Sequence, residues 1–332
     1  MSRRTEQGAA SPVMSGLVSV IVPVRDRPRL LQEAVVSVLA QTYRPLEVVI
    51  VDDGSTDETG LVADRLVADN PAEVRALHVA NGGPGRAREA GRGVARGEFI
   101  QYLDSDDLLL PRKLEWQVEA LVCEPEAGVA YGWTSYVRAG KDPDERRPWR
   151  RTGERIERMF PSFLESRWWG TSTPLYRRSV TDAAGPWSDL WNEEDWEYDC
   201  RVAALDVRLA YVPRPVSIQR DHGGARLSRS GSTDPGKLRS RAAAHGLILR
   251  HARRAGIGPG VPEMRHFARE LFLLARQCGV AGLEEESREL TRLSRLASGG
   301  RSALDVRVYA RLAGLVGWRR LGRIVAGLDR LR

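Results

Sequence analysis

Residues 99–110 read FIQYLDSDDLLL and set three carboxylates, Asp104, Asp106 and Asp107, directly behind a run of β-prone apolar residues. An exposed turn needs one Asp or Asn, not three. Carboxylates at this spacing repel one another, and the repulsion costs stability unless a cation or a hydrogen-bond network offsets it. Two chemistries fit. Asp ahead of an apolar run caps a helix well. Hard oxygen donors on a tight turn also suit a divalent cation that holds a phosphate-bearing ligand. Two further acidic clusters stand at Asp52-Asp53, in VDDGSTD, and at Glu193-Glu194-Asp195, ahead of Trp196. Asp-Gly-Ser favours an Asx turn, and an acidic helix N-terminus is favoured by the helix dipole.

These residues need a frame. Residues 17–24, LVSVIVPV, form a short Val-rich run that predicts a buried strand ending near Pro23 and Val24. Residues 28–41 place Leu30, Leu31, Ala34, Val35, Val38 and Leu39 at helical spacing behind Pro28. Strands are predicted at 46–51, 74–79 and 98–103, with helices at about 56–68 and 86–96 between them. Gly82-Gly83-Pro84-Gly85 opens the latter helix, and its glycines allow close backbone approach. This alternation implies a mostly parallel sheet with right-handed crossovers. In open α/β sheets ligands sit at the carboxyl ends of strands. Those ends carry Arg25-Asp26, Asp52-Asp53, the glycine run and Asp104 to Asp107, so all four clusters should face one crevice. Beyond them come a helix near 111–123, a strand at 128–137 and a charged, Pro-containing loop at 140–155. Further strands are expected at 171–178 and 209–218. Residues 221–236 have turn composition, and from 237 the pattern is helical throughout.

The bulk numbers exclude several classes. With 332 residues, 42% of them apolar and 29% charged, the chain can build one large domain or two smaller ones and is not disordered. Three widely spaced cysteines with no CxxC or Cys/His metal spacing fit a reducing cytoplasm. Residues 1–16 are polar and predict a tail with no secretory signal, and no run approaches the ~18 apolar residues of a transmembrane helix. The net charge of +7 is concentrated: residues 237–332 hold 20 Lys and Arg against 8 Asp and Glu, and the rest of the chain is acidic. A nicotinamide-dependent oxidoreductase would place G-x-G-x-x-G after the first strand, where Pro23-Val24-Arg25-Asp26 stand instead. No zinc-finger or RRM signature accompanies the basic third, so nucleic acid is not an expected partner.

In order, the motifs VSVIVPV, SVLAQTYRPLEVVIVDDGSTDET, NGGPGRAREAGRGVARGEFIQYLDSDD and EEDWEYDCRVA resemble the family 2 glycosyltransferases, over roughly residues 17–225. The resemblance implies a GT-A fold: a Rossmann-like α/β architecture whose mixed, mostly parallel sheet is flanked by helices, with a nucleotide-sugar half at about 17–110 and an acceptor half at about 111–225, here followed by a basic helical extension at 237–332. It implies an inverting transfer from a UDP-, GDP- or dTDP-linked sugar to an acceptor hydroxyl, assisted by Mn²⁺ or Mg²⁺. By position, Asp53 resembles the residue that contacts the nucleobase, with Asp52 beside it, and a carboxylate can accept an N–H from a uracil-like ring. Arg88 resembles a basic residue near base or phosphate. Asp104, Ser105 and Asp106 resemble the DxD motif; Asp106 resembles the metal ligand, and Asp104 resembles a residue that ligates the metal or touches the ribose or a metal-bound water. Asp195 resembles the catalytic base, with Glu194 orienting it or acting in its place. His222 resembles a histidine near the metal or diphosphate. The same resemblance puts Pro23, Val24, Arg25, Asp26, Gly82 and Gly83 in the nucleotide-sugar site; Arg25-Asp26 and Ala87-Arg88-Glu89 depart from the family pattern there, which leaves the base open.

Aromatic faces stack on sugars, so Trp169, Trp191 and Trp196 are candidates for an acceptor platform; core packing explains such a cluster equally well. Residues 303–331 mix Leu304, Val308, Leu312, Leu315, Trp318 and Ile324 with arginines. That pattern fits an amphipathic helix packed on the protein or a second copy, or laid on the inner face of a membrane. A non-catalytic nucleotide-sugar or polyanion-binding protein is the alternative to an enzyme. A role in cell-surface polysaccharide, glycolipid or natural-product glycosylation follows from the resemblance.

Overall fold

The computed structural model describes residues 12–138, 147–221, 234–300 and 304–329. The elements run β1 (Met14–Val24), α1 (Pro28–Leu39), β2 (Leu46–Asp53), α2 (Thr59–Asp69), β3 (Val74–Val79), α3 (Pro84–Val94), β4 (Gly97–Tyr102), β5 (Leu108–Leu109) and α4 (Lys113–Cys123). Then follow β6 (Ala127–Arg138), β7 (Leu175–Arg177), α5 (Arg178–Ala184), α6 (Glu194–Ala203) and β8 (Arg208–Asp221). Five helices close the chain: α7 (Pro235–Arg254), α8 (Pro262–Ala281), α9 (Glu284–Ala297), α10 (Leu304–Val316) and α11 (Trp318–Asp329).

One sheet takes the order β3-β2-β1-β4-β7-β6-β8-β5. Strands β3, β2, β1 and β4 are parallel, as the alternating pattern requires. Past β4 the pairings β4–β7, β6–β7 and β5–β8 are antiparallel, so the sheet is mixed, as the resemblance implies. Every residue of β2 is buried, which is why its run shows no polar alternation. Helix α3 lies tight on β1 and β2: a Cβ at Gly91 would collide with Ile21 Cγ2.

The chain divides into two units. The first takes the described residues up to Arg155, then Trp169–Trp187 and those from Ala210 to 221; it holds the sheet. The second takes Ile156–Trp168, Ser188–Leu209 and the described residues from 234 on. In it α8 packs on α9 and α11, and α6 packs on α7. The expected amphipathic stretch at 303–331 is two helices, parted at Gly317, which adopts a left-handed φ of 90°. Phe272, Val306, Tyr309, Ala313, Trp318 and Leu321 form their shared core. Among the described residues no helix is long and apolar enough to cross a membrane.

Candidate active site

In the first unit the strand ends are stitched to one another by side chains. Asp26, directly after β1, adopts a left-handed φ of 49°. Its backbone N–H donates to Ser55 Oγ at 3.0 Å, and its carboxylate accepts from the Thr56 N–H at 2.7 Å. That bond holds the exposed Asp26 carboxyl below its ordinary range. The Arg27 N–H donates to Thr59 Oγ1 at 2.8 Å. Arg25 lies 3.4 Å from the Asp26 carboxylate. Pro23 and Val24 are buried, with Val24 beside Asp52 in the parallel register.

At the end of β2 the two aspartates do different work. Asp52 accepts from the Ser55 N–H at 3.0 Å and lies 3.0 Å from His78 Nδ1, whose Nε2 is 3.0 Å from Asp64. Burial pushes the Asp52 carboxyl up, but the bonds from Ser55 and His78 outweigh it and hold it below the usual range. The same bonds, from Asp52 first and Asp64 second, raise His78. Asp53 turns the other way. Its two oxygens accept the N–H groups of Gly82 at 2.7 Å and Gly83 at 2.9 Å. Asp53 thus anchors the glycine loop, and Gly83 supplies the φ of 87° with which that loop enters α3.

The acidic turn after β4 resolves the repulsion among its carboxylates by giving each a different partner. Asp104 takes Arg88 at 2.7 Å; Arg88 is buried, with its guanidinium 4.7 Å from the centre of the Trp187 ring. Asp106 takes Arg27 at 3.0 Å. Asp107 is buried, accepts from Ser172 Oγ at 2.9 Å and from the Arg220 N–H at 3.3 Å, and closes the turn through its own N–H to the Asp104 carbonyl at 2.9 Å. Burial, reinforced by Asp106 and Asp104, pushes the Asp107 carboxyl well up. Ser105 is buried between them. Arg220 also donates through Nε to the Asp106 carbonyl at 2.7 Å and through Nη1 to Glu33 of α1. Arg27, Glu33, His78, Ser172 and Arg220 are the residues that sequence reasoning missed.

Among the described residues no group of three or more His, Cys, Asp or Glu side chains forms a ready-made cation site. A magnesium-like ion is usually held by one or two carboxylates, with substrate phosphates and water completing its shell. Asp104 and Asp106, hard donors on one turn and each partly exposed, fit that arrangement. His222 lies outside the described residues.

Asp195 and Glu194 belong to the second unit, on the first turn of α6. Arg167 forks between Asp195, at 2.5 Å, and Asp199, at 2.6 Å. Asp195 also accepts the Trp196 N–H at 2.8 Å. Glu194 is buried. Glu193, at a left-handed φ of 60°, binds Arg241 at 2.8 Å and His245 at 3.0 Å. Burial pushes the Glu197 carboxyl up, but His251, Arg201 and Ser188 together outweigh it and bring it down to about 2. A carboxyl depressed on folding stabilises the protein above its unfolded value and loses that contribution as pH falls towards the folded one. Glu197→Gln is therefore expected to cost about 2–3 kcal/mol at pH 7, with the gap to the wild type closing between about pH 5 and pH 2. Urea unfolding across that pH range measures it.

The tryptophans separate. Trp169 is fully buried, its ring centre 5.1 Å from that of Tyr131, so it is a core residue and presents no face to an acceptor. Trp196 donates its indole N–H to the Phe163 carbonyl at 2.8 Å and packs edge-on against His245 and Phe267. It too serves packing. Trp191 is 47% exposed.

A parallel half-sheet that presents an acidic turn and a glycine loop at its strand ends, continued by antiparallel strands, is the GT-A fold of glycosyltransferases. Residues 19–181 match the family model described as glycosyl transferase family 2, which places that segment of the chain in the family. The Streptococcus pneumoniae glycosyltransferase GlyG is 41% identical over 121 residues, which cover 36% of this chain and 39% of GlyG. A Nostoc protein described as an uncharacterized glycosyltransferase is 40% identical over 114 residues, covering 34% of this chain and 35% of its own. The aligned part thus spans well under half of these relatives. Among solved structures, residues 1–349 of S. aureus TarS in complex with UDP superimpose with a TM-score of 0.63 at 19% identity, covering 93% of this chain and 91% of that one. The same protein with UDP-GlcNAc gives 0.61 at 18% identity.

Proposed function

We propose that the chain transfers a sugar, with inversion, from a nucleoside-diphosphate sugar to an acceptor hydroxyl, assisted by Mn²⁺ or Mg²⁺. The observation that carries this reading is the acidic turn itself: Asp104 and Asp106 lie on a turn braced by Arg27, Arg88 and Arg220, beside strand ends laced together by side-chain hydrogen bonds. The UDP and UDP-GlcNAc complexes of TarS, which shares the fold, support a nucleotide-sugar donor. In this reading Asp52 and the loop anchored by Asp53 receive the base. The arginines beside Asp104 and Asp106 are then available to the diphosphate. The cation would be held by Asp106, with Asp104 beside it, and supplies charge neutralisation for the leaving nucleotide. Asp195 takes the proton of the attacking hydroxyl, so one carboxylate suffices and the product is inverted. Arg25-Asp26, which depart from the family pattern, bear on which base is accepted. Trp191 is the remaining aromatic candidate for the acceptor, which we place among cell-surface polysaccharides, glycolipids or glycosylated natural products.

The test is thermal unfolding with UDP, GDP, dTDP and CDP, each with Mn²⁺, Mg²⁺ or EDTA. A ligand that binds the folded state alone raises the midpoint by mass action; at a hundredfold excess over Kd it adds about 2.7 kcal/mol. One nucleotide is expected to raise the midpoint with a cation and to lose that effect in EDTA. No shift from any nucleotide, in a folded protein, would overturn the donor assignment in favour of a binding protein for another polyanion.

A further inference from the structure

Helix α10 is apolar on two opposite faces. Val306, Tyr309 and Ala313 point inward and join the core with Phe272, Trp318 and Leu321. On the other side Leu304, Val308, Leu312 and Leu315 follow one another at spacings of four, four and three, which puts them in one stripe at 3.6 residues per turn. They are 68%, 42%, 41% and 81% exposed. A helix needs one apolar face to pack on its own unit, and α10 has already spent one. A second, left in water, costs free energy unless something covers it.

The charges around the stripe say what kind of surface that is. Arg307 and Arg311 are exposed and lie along one flank of it. On α11, Arg319, Arg320 and Arg323 are exposed, together with Ile324 at 56%. Asp305, the acidic residue of α10, is engaged by Arg269. Between 304 and 325 there are five arginines and one carboxylate. A second copy of this face would bring like charges together. An anionic bilayer offers the complement: headgroup phosphates for the guanidinium groups and acyl chains for the leucines, with the long arginine side chains reaching up past the stripe.

We propose that α10 and α11 dock this unit on an anionic membrane surface, with Leu304, Val308, Leu312 and Leu315 entering the headgroup–acyl boundary and the five arginines binding lipid phosphates. Nothing spans: the helices lie in the interface. This proposal does not depend on the donor assignment above.

Flotation of the full chain with vesicles tests it, using pure phosphatidylcholine against a three-to-one mixture of phosphatidylcholine and phosphatidylglycerol. The wild type is expected to float with the anionic vesicles, to float far less with neutral ones, and to be released by high salt, which screens the arginines. Leu315→Glu and, separately, Leu304→Glu should each weaken partitioning about tenfold or more. Arg307→Glu with Arg311→Glu should weaken it further, since each lost arginine alone costs about fivefold. All these side chains are exposed, so unfolding midpoints should stay at the wild-type value; the two Leu variants check one another should either fail to fold. Absence of binding to anionic vesicles, or binding that both Leu variants retain, would overturn the proposal. So would sedimentation velocity showing a dimer that Leu315→Glu dissociates while no vesicle binding is seen, because a second copy would then own the face.

Discussion

Asp195→Asn is expected to lower turnover by about 10²–10⁴-fold, the range for removing a general base, while the rise in unfolding midpoint with nucleotide and cation stays at its wild-type size. The substitution keeps the shape and removes the basicity. The residues proposed to bind the donor belong to the first unit and Asp195 to the second, so the two readouts should part cleanly. Arg167 holds the Asp195 carboxylate through Nη1 and Asp199 through Nε. Arg167→Ala should therefore lower kcat by less than Asp195→Asn and leave the donor KM close to wild type. Glu194→Gln separates the neighbouring carboxylate, which is buried, from the role. If Asp195→Asn keeps turnover within a few-fold of wild type and Glu194→Gln does not, the base is Glu194; if both keep it, neither carboxylate is the base.

Asp106→Ala should remove the cation dependence of nucleotide binding and lower donor affinity with Mn²⁺ by about 10²-fold or more, since even residues that merely support a metal ligand cost 10–100-fold when lost. Its carboxylate is engaged by Arg27 at 3.0 Å. A cation held by Asp106 would compete with that guanidinium. Arg27→Ala is accordingly expected to bind Mn²⁺ more tightly than the wild type when no nucleotide is present, and to bind the nucleotide–cation pair more weakly. Titration calorimetry with the metal alone and then with nucleotide reads both. A Mn²⁺-dependent midpoint shift that survives in Asp106→Ala would place the ion elsewhere.

The parallel half of the sheet was legible because its strands are short, Val-rich and buried on both faces, and because each ends in a polar cluster. Asp26, Asp52, Asp53, Asp104 and Asp106 could be nominated from that rule alone. What they touch could not. Arg220 reaches Glu33 across 187 residues, and Ser172 reaches Asp107 across 65; no local pattern marks such pairs. Asp53 was legible as a base contact or as an Asx turn, and neither reading named the Gly82 and Gly83 N–H groups that its oxygens hold. Trp169 and Trp196 carried the same aromatic signal as Trp191, and composition has no means of telling a core ring from an exposed one. The antiparallel half was blurred because β7 is three residues long. On α10 the apolar periodicity was legible and what covers it was not: the regular stripe is exposed, while the less regular set of Val306, Tyr309 and Ala313 is buried.

Arg220 has a consequence for the order in which the chain becomes a folded protein. The brace on the acidic turn comes from β8, after the family match has ended at residue 181. During synthesis the parallel strands can assemble as they emerge, because each needs only its predecessors. The turn at Asp104 to Asp107 must wait for more than a hundred further residues before Arg220 arrives to close it against α1. Until then a nascent chain carries a sheet without a secured turn: Arg27 and Arg88 are already made for Asp106 and Asp104, but Asp107 lacks the Arg220 N–H and the Asp106 carbonyl lacks its donor. The turn proposed to hold the donor is thus among the last parts of the first unit to be completed.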